Sequence, residues 1–446
     1  KLLGPVMSRL SFENQLGSRI YGALLGMFDS HPEMAEDILS HVGRTDCTSL
    51  SADIKNRTSE CIKGILNQEL PNFHSEPGTQ TSPVDVGLLD HWRTAAKDPD
   101  TEPVKWLKEG APAGITEPII DRGIFPLYDP EVDFAEMNPS DLRTEPEFTN
   151  YSGVEQDEEV NTELRRIVDT EYAMEFDTLR DAETFLCSQI VLSKIGAIKK
   201  MRNGKWKMRM VIDSKRSGVS KATRKFERTP VPRALDVISD TMALLSNIPG
   251  LQETVEEVQD YREWVEFMVA DFRDAFFILP NHPKERKFFA VKYRKKVLVF
   301  TRTTQGSRGA PLTWARFIAL IARLTQSVIG AESCRLSTYV DDPILVAGGS
   351  RKDRRTIFAM TLAIWSALGL PLALENAQIG QPVAWTSAVF APTLTGIEVM
   401  IKPSLVQEAL ELCEKFLLSN VIHRKDLRQC TGKATHVASL VQTMCR

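Results

Sequence analysis

The sequence predicts an α+β fold in which an antiparallel sheet is backed by helices, and three observations carry that expectation. KWKMRMVIDSK, WVEFMVADFRDAFFILP and RKFFAVKYRKKVLVFTR read as alternating or continuously apolar strands with turns between them. WARFIALIARLTQSVIG and RRTIFAMTLAIWSALG have helical spacing. CRLSTYVDDPILVAGG reads as two strands around an acidic turn. The order strand, helix, strand, hairpin, helix differs from the strict alternation that builds a doubly wound parallel sheet.

Four segments follow along the chain. Residues 1–100 form an N-terminal extension in which SRIYGALLGMF and SADIKNRTSECIKGILNQEL suggest short amphipathic helices and PNFHSEPGTQTSP reads as a linker. The segment is expected to be accessory or partly disordered, and its function is not legible. Residues 101–190 begin with WLKEGAPAGITEPIIDRGIFPLYDP, too rich in Pro and Gly for a long regular element, and continue as an acidic helical stretch from about 155 to 190. Residues 191–400 carry the strands above, with FERTPVPRALDVISDTMALL as a proline-stopped loop feeding a helix. Residues 401–446 are helical in pattern.

The chain has 446 residues, enough for two or three domains, and 42% are hydrophobic, which places it among globular proteins. No uninterrupted apolar run approaches the roughly 20 residues of a spanning helix, and no cleavable signal pattern follows KLLGPVMSRL. The expectation is an intracellular protein, cytoplasmic or nuclear, and the start at Lys1 suggests a piece of a longer product. Seven cysteines are scattered without CxxC or Cys/His spacing, which argues for free thiols and against structural zinc.

The net charge of −4 conceals polarity along the chain. Residues 191–230 hold thirteen Lys/Arg against two Asp/Glu, whereas residues 131–190 hold seventeen acidic residues against four basic ones. A basic run is ordinarily a solvated face, but it also supplies the local field that a phosphate backbone requires.

Two carboxylate sites stand out: Asp271, ending the apolar strand EFMVAD, and Asp341 with Asp342, between STYV and PILVAG. Acidic groups beside buried strands are costly unless paired or bound to cations. Magnesium takes hard oxygen ligands, and a pair of such ions can activate a 3′-hydroxyl and stabilise a departing pyrophosphate. An isolated Asp-Asp pair is ordinarily a solvated turn, so the surrounding motifs decide.

Those motifs resemble the reverse transcriptase family of retrotransposons and retroviruses. VADFRDAFFILP is similar to the family's first catalytic motif, with Asp271 at the metal-binding position and Phe276 at the steric gate. TTQGSRGAPLTWARF resembles its QG loop and following helix, STYVDDPILV its YxDD hairpin, and GAIKKMRNGKWKMRMVIDSKRSGVS its fingers, with Arg209, Asp213 and Lys215 at matching spacing.

The resemblance implies a right-hand polymerase: fingers at about 190–265 and 280–310, a palm from the catalytic strands, and a thumb or connection beginning after 400. It implies an RNA-directed DNA polymerase within a retrotransposon-like polyprotein, extending a DNA or RNA primer with dNTPs on an RNA or DNA template. Ribonuclease H or integrase neighbours are implied in the longer product. No ribonuclease H carboxylate set follows the helical end, so this chain is expected to polymerise without degrading the RNA strand. Two Mg2+ ions, with Mn2+ as a substitute, would be held by Asp271, Asp341 and Asp342, the first two as bridging ligands.

For the incoming nucleotide the expected residues are Arg209, Lys207, Phe276, Gln305 and Gly306; for primer and template, Tyr339, Lys199, Lys200, Lys215 and Arg308. Arg209 offers a bidentate fork to the triphosphate. Phe276, five residues after Asp271, would exclude a 2′-hydroxyl, or it is a core phenylalanine. Trp314 and Trp365 read as core aromatics and not as base-stacking platforms.

Two departures from the family pattern stand out. Pro343 follows the two aspartates and cannot donate to a ladder, so the second hairpin strand should start at an edge or after a break. GLPLALENAQIGQPVAW lacks a lysine common in the family. Two other readings stand beside the polymerase: an RNA-templated RNA polymerase of the same plan, which Phe276 opposes, and a catalytically silent nucleic-acid-binding protein.

Overall fold

The computed structural model describes residues 15–46, 49–128, 137–145, 148–202, 205–246, 261–393, 396–418 and 421–441, with the side chains of 200–207, 261 and 435–441 outside that description. The chain runs through α1 (Gln15–Ser30), α2 (Glu33–Ser40), α3 (Ala52–Glu69), α4 (Val86–Ala95), α5 (Glu102–Glu109) and α6 (Glu158–Asp169). Next come β1 (Ala173–Phe176), α7 (Leu179–Leu186), β2 (Lys194–Arg202), β3 (Lys205–Asp213), the short α8 (Val219–Ala222), α9 (Ala234–Ser246) and β4 (Val265–Val269). The strands β5 (Ala290–Tyr293) and β6 (Lys296–Phe300) precede α10 (Ala310–Ile329), β7 (Cys334–Tyr339), β8 (Asp342–Gly348) and α11 (Arg351–Ala367). The remainder is β9 (Gln378–Gly380), β10 (Val383–Trp385), β11 (Ala388–Pro392), β12 (Ile397–Ile401), α12 (Pro403–Leu417) and α13 (Arg424–Val441). Every pair of these strands is antiparallel, which bears out the α+β expectation.

The chain divides into two compact units, 1–69 with 231–273 and 322–446, and 70–230 with 274–321. The first contains the sheet β7-β8-β4-β9 and the smaller sheet β10-β11-β12. Its core gathers Val265, Phe267, Ile344, Val346, Trp385 and Phe390 under α9. The helices expected in the extension form as α1 and α3, and they belong to this unit. They bury Leu16, Ile20 and Leu24 from α1 and Ile62 and Leu66 from α3. Glu36 of α2 accepts a bidentate pair from Arg355 of α11 at 2.7 Å.

α9 also carries a titratable group that ties stability to pH. Burial raises the Asp240 carboxyl to about 6, with Asp236 adding to the rise and Arg335 and a hydrogen bond with Ser337 opposing it. A raised carboxyl favours the protonated folded state, so its contribution is complete below the unfolded value near 4 and is lost as pH rises through about 6. Asp240→Asn is therefore expected to raise stability at pH 7 by on the order of 2 kcal/mol, at about 1.4 kcal/mol per pKa unit. The gain should vanish below pH 4 in denaturant titrations; equal gain at both pH values would refute the assignment.

The second unit contains the β2-β3 ribbon and the sheet β1-β6-β5. The acidic stretch of 155–190 is two helices with a strand between them, a correction to the continuous helix expected. Asp157 caps α6 by accepting the Glu159 N–H at 3.0 Å, and Val160, Leu164 and Ile167 form its buried stripe. The helix ends at Asp169, and β1 pairs with β6 from Ala173↔Phe300 to Phe176↔Val297. Tertiary pairing with a strand over 120 residues away overrides the local helical pattern.

AFFILP differs from the expected strand too, since Ala275–Ile278 is a 3-10 turn. Residues 100–125 have little regular structure after α5 and are fixed by buried charges. Arg316, fully buried, donates through Nε to Asp100 at 2.9 Å and through Nη1 to the Ile120 carbonyl at 2.7 Å. Glu285 accepts the backbone N–H groups of Ala113, Ile115 and Thr116 at 2.5 to 2.8 Å. Such burial is tolerated because Arg316 is paired with Asp100 and Glu285 is satisfied by three backbone donors.

α10 is long and apolar enough to cross a membrane by length and composition, but nearly all of it is buried in the protein. Trp314 and Trp365 are buried core residues as expected.

Candidate active site

Asp271 follows β4 directly, and its strand is fixed on both sides. Val269 pairs with Ile344 of β8 and with Gln378 of β9, so the apolar run VEFMV is a central strand that carries Asp271 just past its end. The backbone is then held by residues 371–373. The Ala373 N–H donates to the Asp271 carbonyl at 2.8 Å and the Arg273 N–H to the Pro371 carbonyl at 2.7 Å. Phe272 packs on Trp365 with ring centroids 5.3 Å apart.

The two-residue turn of the β7–β8 hairpin is Val340-Asp341, closed by the pair Tyr339↔Asp342. Val340 has φ +56°, a left-handed conformation that a β-branched residue adopts only at a cost. The hairpin is seated from below: the Trp385 indole donates to the Asp342 carbonyl at 2.9 Å and meets the Tyr339 ring edge-on at 6.1 Å.

Pro343 meets the second of the two expected placements, a break in the ladder and not an edge strand. It is the second residue of β8, which lies between β7 and β4. The β4 ladder stops at Val269↔Ile344, and beyond it the Pro343 carbonyl accepts the Ala270 N–H at 3.1 Å. The missing proline donor thus falls at the end of a ladder, the break that was the other option for a proline here.

Asp271 and Asp341 influence one another electrostatically. Burial pushes the Asp271 carboxyl above the ordinary range, a hydrogen bond from Asn376 opposes this, and the Asp341 charge adds to the rise. The Asn376 amide donates to Asp271 Oδ2 at 2.7 Å, while neighbouring Glu375 accepts from Arg273 at 2.9 and 3.0 Å. Sequence reasoning missed Asn376 and Trp385. Their positions depend on residues 371–385 returning beside β4, which no local pattern announces.

The donor set suits magnesium. Hard carboxylate oxygens sit where like charges raise the cost of ionisation, and magnesium characteristically takes one or two protein carboxylates and completes its shell with water and phosphate oxygens. Among the described residues no three acidic, His or Cys side chains form an all-protein cage.

The second unit holds the other expected residues. In the β2–β3 ribbon Arg209 is exposed opposite Ile198, and Lys200 pairs in register with Lys207, whose side chains lie outside the described residues. Lys199 is engaged with Asp157 at 3.0 Å and Glu159 at 3.3 Å, so its expected role toward template phosphate competes with two ion pairs. Lys215 is exposed beyond β3, and its N–H with that of Arg216 donates to the Asp213 carboxylate at 3.1 and 2.9 Å. Asp213 therefore shapes the turn.

Gln305 and Gly306 are exposed in the loop before α10. Ser214 Oγ donates to the Gly306 carbonyl at 2.5 Å, and Arg308 donates to the Ser220 carbonyl at 3.3 Å. Gly306 has φ +102°, and a Cβ there would lie 2.2 Å from the Ile212 carbonyl oxygen. Gly306→Ala is expected to cost about 2 kcal/mol or more in thermal unfolding, from backbone strain and displacement of the loop from β3. An unchanged melting temperature would contradict this close approach. Phe276 is half-buried and meets Trp314 at 6.5 Å in an edge-on arrangement.

The strand-end aspartate and the aspartate hairpin lie on adjoining antiparallel strands, the arrangement expected of a polymerase palm. The chain matches, through residues 198–389, the family model described as reverse transcriptase (RNA-dependent DNA polymerase). It is similar to the Gag-Pro-Pol polyprotein of squirrel monkey retrovirus, 25% identical over 195 residues that cover 41% of this chain and 9% of that one. It is also similar to the Pol polyprotein of feline endogenous virus ECE1, 30% identical over 124 residues, or 26% and 12% of the two chains. These matches span about a tenth of the relatives' length. Among solved structures, a foamy viral protease-reverse transcriptase in complex with double-stranded DNA has a TM-score of 0.45 and 14% identity, covering 82% of this chain and 55% of that one.

Proposed function

We propose that this chain is an RNA-directed DNA polymerase that extends a primer with dNTPs on an RNA or DNA template. The observation that carries the reading is the pairing of Asp271 and Asp341, brought within electrostatic reach by β4 and the β7–β8 hairpin in a domain matched to reverse transcriptases. Asp271 and Asp341, with Asp342 next in sequence to Asp341, would hold two Mg2+ ions, or Mn2+ in their place. Bound there, the ions would supply Lewis-acid activation of the primer 3′-hydroxyl and charge neutralisation at the pyrophosphate.

The protein's own part is positioning. Asn376 and the 371–373 backbone hold Asp271 in place, and Trp385 and Tyr339 steady the hairpin under the primer end. Arg209, with Lys207, supplies positive charge for the triphosphate, Gln305 and Gly306 present backbone to the nucleotide, and Phe276 excludes the 2′-hydroxyl. Lys199, Lys200, Lys215 and Arg308 track primer and template phosphates, while base pairing chooses the sequence.

The test is incorporation on a primed RNA template with Mg2+ and either dNTPs or rNTPs. DNA synthesis that stops with chelator supports the reading. Preference for rNTPs would make the chain an RNA polymerase, and tight duplex binding without extension would make it a silent binding protein.

A further inference from the structure

In the second unit the turn that carries Phe276 is held by Arg166 and Tyr172, which lie before the matched segment and have no role in the sequence reading. Phe276 lies two residues after Asp274, whose backbone is left-handed at φ 53° and ψ 37°, and precedes Phe277 in the 3-10 turn. The Phe277 N–H closes that turn on the Asp274 carbonyl at 2.7 Å. An aspartate tolerates this conformation better than most residues, but the position still needs outside support.

α6 and the residues after it supply that support at two points. Arg166 of α6 donates to both carboxylate oxygens of Asp274, at 2.6 and 3.1 Å, while its remaining fork positions engage Glu163 at 2.9 and 2.8 Å. A guanidinium held on two planar carboxylates has little freedom to turn. Three residues past the end of α6, the Tyr172 ring stacks on Phe277 with centroids 4.7 Å apart and planes 14° from parallel. Phe277 in turn faces Phe300 at 6.5 Å, also 14° from parallel. Tyr172 is itself pinned: its N–H donates to the Ile167 carbonyl and its carbonyl accepts the Thr301 N–H, both at 2.9 Å. The Arg166 guanidinium lies 5.9 Å from the Tyr172 ring centroid, which joins the two supports.

The bracket grips the residues on either side of Ala275-Phe276, with an ion pair on Asp274 and an aromatic stack on Phe277. Phe276 is thereby left one orientation of its backbone and a contact with Trp314. We propose that Arg166 and Tyr172 are positioning residues that set deoxyribonucleotide selectivity by fixing the turn that carries Phe276. This rests on the reading of Phe276 given above.

The experiment compares kcat/KM for a dNTP and its matching rNTP in primer extension by the full chain. Variants are Arg166→Ala, Arg166→Lys, Asp274→Asn, Phe276→Ala and the double Arg166→Ala/Phe276→Ala, each checked for folding by thermal melting. Arg166→Ala is expected to lower the dNTP preference by roughly tenfold, the scale on which loss of positioning acts. Arg166→Lys, which keeps the charge, should recover part of it, and Asp274→Asn should resemble Arg166→Ala. The double variant should select no worse than Phe276→Ala alone, because Arg166 acts only through that ring.

A parallel fall in both kcat/KM values with an unchanged ratio would overturn the proposal and leave Arg166 a stability residue. So would full additivity in the double variant. If Arg166→Ala fails to fold, Arg166→Lys and Asp274→Asn carry the same comparison. No extension by the wild-type chain would instead reject the polymerase reading, and an unchanged ratio in Phe276→Ala would reject the gate.

Discussion

Asp271→Asn is expected to abolish primer extension, by a factor on the order of 10² to 10³ or more, while making the metal-free protein more stable at neutral pH. The first effect is the loss of a charged ligand at the reacting centre, where removal of one stabilising group characteristically costs this much. The second follows from the sign of the titration. Burial and the nearby Asp341 raise the Asp271 carboxyl, so the ionised form is disfavoured in the folded protein. Its contribution to stability is complete below the unfolded value near 4 and is lost as pH rises through the folded one. A neutral amide of the same shape removes that loss and can still accept the hydrogen bond from Asn376. In chelator at pH 7 the variant should melt higher than wild type, and the difference should close below pH 4. Added Mg2+ should raise the wild-type melting temperature and leave the variant nearly unchanged, since a ligand stabilises only a folded state that binds it. A variant less stable than wild type in chelator would contradict this electrostatic account of the site.

Phe276→Ala should relax sugar selectivity on the order of 10²-fold, read as the ratio of kcat/KM for dNTP and rNTP. Removing the ring opens space for a 2′-hydroxyl without touching any carboxylate, so dNTP incorporation itself should fall far less than in Asp271→Asn. Phe276 is half-buried and meets Trp314 edge-on, so part of its surface belongs to the core. The variant is therefore also expected to lose about 2 to 3 kcal/mol of stability in denaturant unfolding. Stability lost with the ratio intact would return Phe276 to the core phenylalanine that its neighbours in AFFILP also suggest.

How much of this was legible depended on whether the signal was local. β3, β7, β8, α10 and α11 each carry their own period in the sequence, and the aspartate turn sits between apolar runs that could only be strands. The candidate ligands Asp271 and Asp341 were legible for the same reason. The strand β1 was not, because its partner is β6 and its local sequence lies between two good helical stripes. Asn376 and Trp385 were invisible as site residues because they reach the site through the return of 371–385 beside β4 and under the hairpin. Lys199 looked like a free cation in a basic run, yet acidic side chains some forty residues earlier in the chain engage it. Residues 15–69 were legible as helices but not in their packing, since an amphipathic face does not name the surface it will cover.

The most direct test of the central claim is Mg2+-dependent extension of a primed RNA template by the purified chain, run beside Asp341→Asn. The account predicts dNTP incorporation by the wild-type chain that chelator stops, and its loss in Asp341→Asn with duplex binding retained. Equal incorporation by both proteins, or none by a folded wild-type chain that binds the duplex, would contradict it.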